Sequence, residues 1–168
     1  MVKLLIKPAS NKQVHNITPA SVGWEHVGFA LYDLQAGEDI SVQQPGRELC
    51  LVVLTGTASV CAGEKTWSAI GGRSSVFEDK APGAIYLPAG EEATITADTA
   101  VELAVCSAPG KGASGAARII EAGKMSQEVR GKETNTRYVR NILPETEPAD
   151  GLLVVEVITP PGLSLIHL

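Results

Sequence analysis

Histidine is scarce in this chain of 168 residues, which has only three: His15, His26 and His167. Aromatic residues make up 4% of the sequence, and the net charge is −5. Because nothing in this composition supplies the basic surface that a phosphate backbone attracts, we expect no nucleic-acid partner. The apolar run that opens the chain is too short for a signal peptide or a membrane span, which predicts a cytoplasmic protein without membrane contact.

Cysteine is equally rare. Cys50, Cys61 and Cys106 are odd in number, show no close-pair spacing, and each lies in an apolar, strand-like run. We interpret each as a buried, reduced, hydrophobic side chain. The alternative, a reactive or metal-binding thiol, would need a histidine partner, and the main body of the chain offers only His15 and His26.

A sustained helical period is also missing. Short apolar segments alternate with glycine and proline, which is typical of an all-β protein. Turns are predicted at residues 55–56, 62–64 and 88–91. Many short strands joined by tight turns favour a jelly roll or a small barrel. The candidate strands of this first part are residues 29–34, 49–54, 57–61, 65–70, 75–77, 84–87, 93–97 and 101–106.

A change in composition then divides the chain. Residues 107–115 are small and flexible, as in a linker. We therefore predict an N-terminal barrel at residues 1–108, a linker at 109–117 and the beginning of a second unit at 118–168. Strand-like runs within the second unit lie at residues 118–120, 137–143 and 152–158, and the polar stretch 131–137 is expected outside any core.

The apolar run 152–158 is expected to lack strand partners within this second unit. An unpaired strand exposes backbone donors and acceptors and invites pairing. We predict that it joins the first barrel, joins a neighbouring chain or stays disordered. Deletion from Leu152 onward is then expected to reduce aggregation.

Six segments, in this order, resemble the 5-deoxy-glucuronate isomerases of inositol catabolism, a family related to the 5-keto-4-deoxyuronate isomerases. The resemblance runs from about residue 23 to 160 and implies a bicupin. The expected fold class is thus all-β, a cupin (a jelly-roll-like β-barrel), with one complete barrel and the start of a second. The segments are ELCLVVLTGTASV (48–60), GRSSVFE (72–78), YLPAG (86–90), ELAVCSAP (102–109), NTRYVRNIL (135–143) and LLVVEVITP (152–160).

The resemblance also implies an activity, the conversion of 5-deoxy-glucuronate to 2-deoxy-5-keto-gluconate, so that a deoxy-uronic acid is the expected substrate. An aldose–ketose isomerisation moves a proton between neighbouring carbons, which requires a base and a group that stabilises the enediolate oxygens. A divalent metal serves the second purpose and is expected in the complete family member. Its histidine and glutamate ligands would begin just after the segment that ends here at Thr159 and Pro160.

The sequence departs from the family after Pro160, so we expect a C-terminally truncated member that is inactive by itself. No metal site and no cofactor are expected in this chain, and the catalytic residues remain unknown. The alternative is a non-catalytic cupin that binds a sugar acid or a protein partner. Because cupins associate through their sheets, a homo-oligomer is expected in either case.

The first barrel offers no substitute metal site. The usual cupin motifs, aligned on Gly56 and on residues 88–90, are expected to place side chains that are not competent ligands at the metal positions. These side chains are Gln43, Gln44, Pro45, Leu49 and Ala93. The N-terminal barrel is therefore interpreted as a packing and assembly element.

The remaining candidate residues each keep two interpretations. His15 and His26 are acid–base candidates or, as we favour, surface or loop residues, and His167 matches no family ligand. Arg73 and Glu78 form a charged substrate pair or, preferably, an internal salt bridge or a domain contact.

Two further sets are equally open. Trp24 and Trp67 line a sugar pocket or, more commonly for a lone tryptophan, pack in a core or interface. Arg130, Arg137 and Arg140 hold a substrate carboxylate or are solvated loop charges.

Overall fold

The computed structural model describes residues 5–162. Within this range the chain forms twelve β-strands, one short α-helix and two single-turn 3-10 helices. No helix in the described part of the chain has the length and apolar character that crossing a membrane requires. The elements are β1 (Gln13–Ile17), α1 (Pro19–Val22), β2 (Gly28–Leu34), β3 (Asp39–Val42), β4 (Arg47–Ala62), β5 (Lys65–Arg73), β6 (Gly83–Leu87), β7 (Ala93–Ala97), β8 (Val101–Pro109), β9 (Arg118–Ile120), β10 (Gln127–Arg130), β11 (Arg137–Leu143) and β12 (Val154–Ile158), with the 3-10 turns at Ala122–Lys124 and Glu133–Asn135.

Strands β1 to β9 form one antiparallel sheet that folds over itself into two layers. The first layer has the order β1-β2-β8-β4-β6-β9, and β3, β7, β4 and β5 make the second. β4 belongs to both layers, since its first half pairs with β6 and β8 and its second half with β5 and β7. Two facing antiparallel layers of this kind close into a cupin barrel, so the predicted fold class is confirmed.

The strand β4 changes layers at Gly56, whose φ of 77° lies in the left-handed region. A Cβ at this position would lie 2.0 Å from the carbonyl oxygen of Ala100, so only glycine fits. The turn predicted at residues 55–56 is wrong, because the chain passes through a bulge and continues as a strand. The turns predicted at 62–64 and 88–91 are confirmed.

Successive side chains of β4 point to opposite faces of the sheet and so contribute to two separate hydrophobic cores. Leu49, Leu51 and Val53 point into the barrel, where they pack among aliphatic side chains of the facing layers. Cys50 and Val52 point the other way, into a second cluster on the outside of the first layer. This outer cluster is completed by Ile120 of β9 and by side chains from beyond the barrel, namely Met125, Ile142, Leu143, Leu152 and Val154.

The outer cluster attaches a second, three-stranded sheet of order β10-β11-β12 to the barrel. β12 pairs with β11, and the side chains of Leu152 and Val154 are buried against the barrel. β9, which the sequence placed in the second unit, pairs with β6 at the edge of the barrel's first layer. The division of the chain into domains stays a prediction.

Several local predictions need correction. Residues 75–77 are not a strand: Ser75 accepts a hydrogen bond from the Phe77 backbone N–H, and the segment forms a turn. Cys61 is exposed because it lies on the outward face of β4, whereas Cys50 is buried and Cys106 half-buried. β1, β3 and β10 were not predicted, since their sequences are short and at least half polar.

Candidate functional site

A cleft of about 460 Å³ opens between the loop at residues 74–82 and the three-stranded sheet. Its apolar lining is unusually exposed for large side chains, with Phe77 at 89% and Val129 at 61% exposure. Arg140 is the most buried polar residue of the lining, at 4% exposure. The cleft is lined by Phe77, Asp79, Gln127, Glu128, Val129, Tyr138, Val139, Arg140 and Ile158.

Strand register explains how these side chains meet. Gln127 of β10, Arg140 of β11 and Glu156 of β12 lie directly opposite one another. Residues paired across antiparallel strands share a face of the sheet, so these three side chains project from the same side. The next row on that side consists of Val129, Tyr138 and Ile158. The face therefore combines an apolar row with a polar one.

A buried ionic cluster underlies the polar row. Glu156 bridges two arginines: its Oε1 lies 2.6 Å from Nη2 of Arg73, and its Oε2 lies 2.6 Å from Nη1 of Arg140. The side chains of Arg73 and Arg140 are 1% and 5% exposed. The backbone carbonyl of Lys80 accepts hydrogen bonds from both guanidinium groups. Arg73 at the end of β5 is thereby tied to the three-stranded sheet.

Among the buried members of this cluster, the negative charge is smaller than the positive charge. Within residues 5–162, Glu156 is the one carboxylate in contact with both guanidinium groups, and its side chain is 15% exposed. Asp79 contacts Arg140 at 3.3 Å, but the Asp79 side chain is 95% exposed. Nε of Arg140 is buried without a hydrogen-bond partner in residues 5–162. The geometry thus leaves a buried cation incompletely neutralised beside an open cleft.

The loop at 74–82 is held in shape by its own side chains. Glu78 accepts hydrogen bonds from the backbone N–H and hydroxyl of Ser74, and these bonds lower the pKa of the Glu78 carboxyl. Lys80 donates from Nζ to the carbonyl of Gly72 at 2.6 Å. Arg73 and Glu78 are therefore not a pair. Arg73 instead forms an internal salt bridge with Glu156.

A second polar centre lies within the outer cluster. The fully buried carboxylate of Glu48 accepts hydrogen bonds from the Tyr86 hydroxyl and from the backbone N–H groups of residues 150–152. Burial, and then the bond to Glu48, raise the pKa of Tyr86 to about 12. This centre anchors the chain that leads into β12.

Asp150 in turn holds the segment predicted as a linker. Its carboxylate accepts hydrogen bonds from the backbone N–H groups of Lys111 and Gly112. Desolvation acts to raise the pKa of the Asp150 carboxyl, but these hydrogen bonds outweigh it and the pKa is lowered. Residues 111–112 are thus fixed to the segment before β12.

The other candidate residues lie apart from the cleft or only at its margin. Trp24 is exposed, and Trp67 packs against the barrel core. Arg130 pairs with Glu128, and Arg137 donates to the side chain of Asn135. Of the three arginines considered as solvated charges, Arg140 contradicts that interpretation, because it is buried in β11.

The family of the chain can now be identified, because the KduI/IolB family matches residues 4–164. The chain belongs to the KduI/IolB family. It is 44% identical over 165 residues to the 5-deoxy-glucuronate isomerase of Geobacillus kaustophilus (strain HTA426), covering 96% of this chain and 59% of that protein. With the 5-deoxy-glucuronate isomerase of Bacillus subtilis (strain 168) it shares 36% identity over 169 residues, covering 96% of this chain and 62% of that protein. The chain thus spans about three-fifths of the length of the curated relatives it matches.

Solved structures agree with the fold. An IolB-like protein from Salmonella typhimurium LT2 superposes on this KduI/IolB chain with a TM-score of 0.91 and 44% identity, over 96% of this chain and 61% of that one. The protein YlbA from E. coli matches with a TM-score of 0.53 and 16% identity, over 82% of this chain and 60% of that one. This second likeness supports the fold alone.

A divalent metal, which the family resemblance implies, does not fit the described part of this KduI/IolB chain. Residues 5–162 contain no group of three or more His, Cys, Asp or Glu side chains arranged to hold a metal ion. Of the residues expected at the cupin metal positions, Leu49 and Ala93 are buried in the aliphatic core and Gln43 donates to the carbonyl of Gly90.

The histidines do not change this result. His15 is half-buried in β1, and His26 is exposed beside Glu25. His167 lies outside the described residues.

Sequence reasoning missed the residues that complete both polar centres, Glu48, Asp79 and Glu156. Glu156 stands alone among apolar residues in LLVVEVI, whereas Glu48 follows Arg47 and opens the apolar run ELCLVVL. A single carboxylate inside such a run is a signal of a buried, partnered charge. No local signal indicated their partners, which lie 38 and 83 positions away in the sequence for Tyr86 and Arg73.

Proposed function

We propose that this KduI/IolB chain forms part of a 5-deoxy-glucuronate isomerase, an intramolecular oxidoreductase that converts 5-deoxy-glucuronate to 2-deoxy-5-keto-gluconate in inositol catabolism. The observation that carries the proposal is the 44% identity to the Geobacillus kaustophilus 5-deoxy-glucuronate isomerase across 96% of this chain. The 0.91 TM-score with the Salmonella IolB-like protein supports the same assignment.

Within that activity we assign the barrel a structural role. In residues 5–162 the core cluster inside the barrel consists of aliphatic side chains, which offer no hydrogen-bonding groups to a sugar acid. The cleft beside Arg140 is the part of the chain that faces a deoxy-uronic acid. A divalent metal of the complete enzyme is, on this proposal, held by residues other than 5–162.

The setting of the protein belongs to the same proposal. A cytoplasmic location is part of the proposal, because an odd number of cysteines without close-pair spacing is typical of a protein that keeps its thiols reduced. Association into a homo-oligomer through the sheets is proposed as well.

The test compares two proteins under identical conditions. One is the 168-residue chain, and the other is this chain fused at Pro160 to the remaining part of the Geobacillus kaustophilus enzyme. Both receive 5-deoxy-glucuronate and added Zn²⁺ or Mn²⁺, and conversion is followed by NMR. Turnover by the fusion and none by the 168-residue chain is the expected result.

Other outcomes have definite meanings. A folded, metal-loaded fusion without turnover contradicts the isomerase proposal and favours a non-catalytic cupin that binds a sugar acid or a protein. Turnover by the 168-residue chain alone contradicts the proposed dependence of the activity on the Geobacillus segment. 5-Keto-4-deoxyuronate, offered in parallel, separates the two related isomerase activities.

A further inference from the structure

We propose that the cleft between the 74–82 loop and the three-stranded sheet binds a sugar-acid carboxylate at the guanidinium of Arg140, and that Asp79 is the counter-ion this carboxylate displaces. The identity of the ligand as a sugar acid rests on the proposed function. The anion site itself rests on the geometry of Arg73, Arg140, Glu156 and Asp79.

The first argument is the charge of the cluster. Arg73 and Arg140 are permanently cationic, and both are almost completely withdrawn from water. Glu156 supplies one negative charge to the two of them. Since a buried charge is expensive unless it is paired, a second anion is favoured next to the guanidinium groups.

The second argument is the weakness of the anion now present. Asp79 reaches Arg140 through a single contact of 3.3 Å, and its side chain is 95% exposed. A solvent-exposed ion pair contributes little and is screened by salt. A ligand carboxylate that enters from the cleft competes with this weak partner for a strongly cationic position.

The third argument is the shape and chemistry of the cleft. A volume of about 460 Å³ suits a monosaccharide. Phe77 and Tyr138 offer aromatic faces to the C–H surface of a sugar, and the exposed amide of Gln127 offers hydrogen bonds to hydroxyl groups.

The acidic side chain of Glu128 also lines the cleft but does not oppose an anion strongly. It lies 2.5 Å from Nη2 of Arg130 and accepts a hydrogen bond from Asn141, and these contacts lower the pKa of the Glu128 carboxyl. Its charge is therefore already paired. Among the described residues that line the cleft, the incompletely paired charge is that of the Arg140 guanidinium.

The experiment titrates the 168-residue chain with D-glucuronate, a stable uronic acid, and follows binding by calorimetry and by NMR shifts of the β10–β11 amides. The informative variant is Asp79→Asn, which removes the competing anion from an exposed position and so leaves the fold intact. Its matched control is Glu92→Gln, the same loss of charge at an exposed residue remote from the cleft.

We expect D-glucuronate to bind the unmodified chain and to bind Asp79→Asn about two- to fivefold more tightly, the range that one exposed ion pair represents. Glu92→Gln is expected to match the unmodified chain. D-glucose, which lacks the carboxylate, is expected not to bind. Arg140→Lys, checked for folding by circular dichroism, is expected to bind at least tenfold more weakly, since an ammonium loses the two-point contact.

The proposal is overturned if Asp79→Asn and Glu92→Gln bind D-glucuronate equally, or if glucose binds as well as glucuronate. It is likewise overturned if the fusion to the Geobacillus segment no longer shows the Asp79 effect, because the cleft is then covered by protein. This binding readout needs no turnover. A fusion that is inactive yet keeps Asp79-dependent binding contradicts the isomerase proposal alone, and an active fusion without that binding contradicts the anion site alone.

Discussion

Glu48 and Arg140 are both charged and both buried, but their surroundings satisfy them to different degrees. The Glu48 carboxylate accepts hydrogen bonds from one hydroxyl and three backbone N–H groups, so its lone pairs are well used. Arg140 keeps a buried Nε without a partner in the described residues. A fully satisfied buried charge stabilises one conformation, whereas an incompletely satisfied one is a position where a ligand gains binding energy.

Tyr86 makes the Glu48 centre accessible to a pH experiment. Its pKa is raised from 10.0 to about 12 in the folded chain, so between these values the unfolded chain loses the proton and the folded chain keeps it. Stability is therefore retained below pH 10 and falls as the pH rises from 10 to 12. At pH 11 the loss due to Tyr86 is about 1 kcal/mol.

We expect Tyr86→Phe to remove that part of the alkaline loss. The measurement is the free energy of urea unfolding at pH 9 and pH 11 for the unmodified chain, Tyr86→Phe and the control Tyr138→Phe, whose ring is half exposed. Cys106, with a pKa raised by burial to about 11, contributes to the loss equally in all three proteins. An equal loss in Tyr86→Phe and Tyr138→Phe would show that Tyr86 is not the responsible group.

The roles of single residues were only partly predictable from the sequence. Burial of Cys50 follows from its apolar neighbours, and the packing of Trp67 against the core is the usual fate of a lone tryptophan. The burial of Arg140 does not, because NTRYVRNIL contains two arginines and the strand register alone decides which one faces the barrel. Contacts such as Arg73 with Glu156 join distant segments, and no local pattern encodes them.

At the scale of elements, β4 determines how the barrel closes. Its 16 residues serve both layers only because the chain bends at Gly56 without ending the strand. The apolar alternation on both sides of Gly56 was sufficient to predict strands there. Whether a glycine between two strands makes a turn or a bulge depends on the partner strands, which is why the sequence suggested a turn.

The bend at Gly56 leads to a mutational prediction. Gly56→Ala places a methyl group 2.0 Å from the Ala100 carbonyl oxygen in a left-handed conformation, and we expect it to lower the free energy of unfolding by about 3 kcal/mol or more. Gly90→Ala is the control, since Gly90 has a φ of 84° and no atom within 4 Å of the added Cβ. Gly90→Ala therefore adds only the strain of the left-handed backbone conformation, which we expect to lower the free energy of unfolding by about 1 kcal/mol.

Urea unfolding of the two alanine variants measures this difference. If Gly56→Ala and Gly90→Ala are destabilised to the same degree, close approach to Ala100 does not constrain the bend. If only Gly56→Ala is strongly affected, the bulge is held by the contact with the neighbouring strand ends rather than by backbone preference.

At the scale of the whole molecule, the barrel and the three-stranded sheet share the outer cluster. Cys50, Val52 and Tyr86 of the barrel are buried there by Leu152 and Val154, among others. A sequence can indicate that Val52 and Val154 are apolar, but it does not indicate that the outside of one sheet is covered by a segment 100 positions later. The structure therefore changes the expected effect of deleting residues 152–168.

Deletion of residues 152–168 is now expected to increase aggregation rather than reduce it. It removes the cover of the outer cluster, the partner strand of β11 and the carboxylate that bridges Arg73 and Arg140.

The matched comparison keeps the strand and changes only solvent-facing side chains in and next to it, as Leu153→Thr, Val155→Thr and Val157→Thr together. These side chains are 60%, 44% and 41% exposed, and threonine retains strand propensity. We expect the triple variant to unfold within about 1 kcal/mol of the unmodified chain and to stay soluble at higher concentration. The soluble fraction after expression and the elution volume in size-exclusion chromatography are measured for the deletion and for the triple variant. A deletion that is more soluble than the triple variant would mean that residues 152–158 do not cover the barrel in solution.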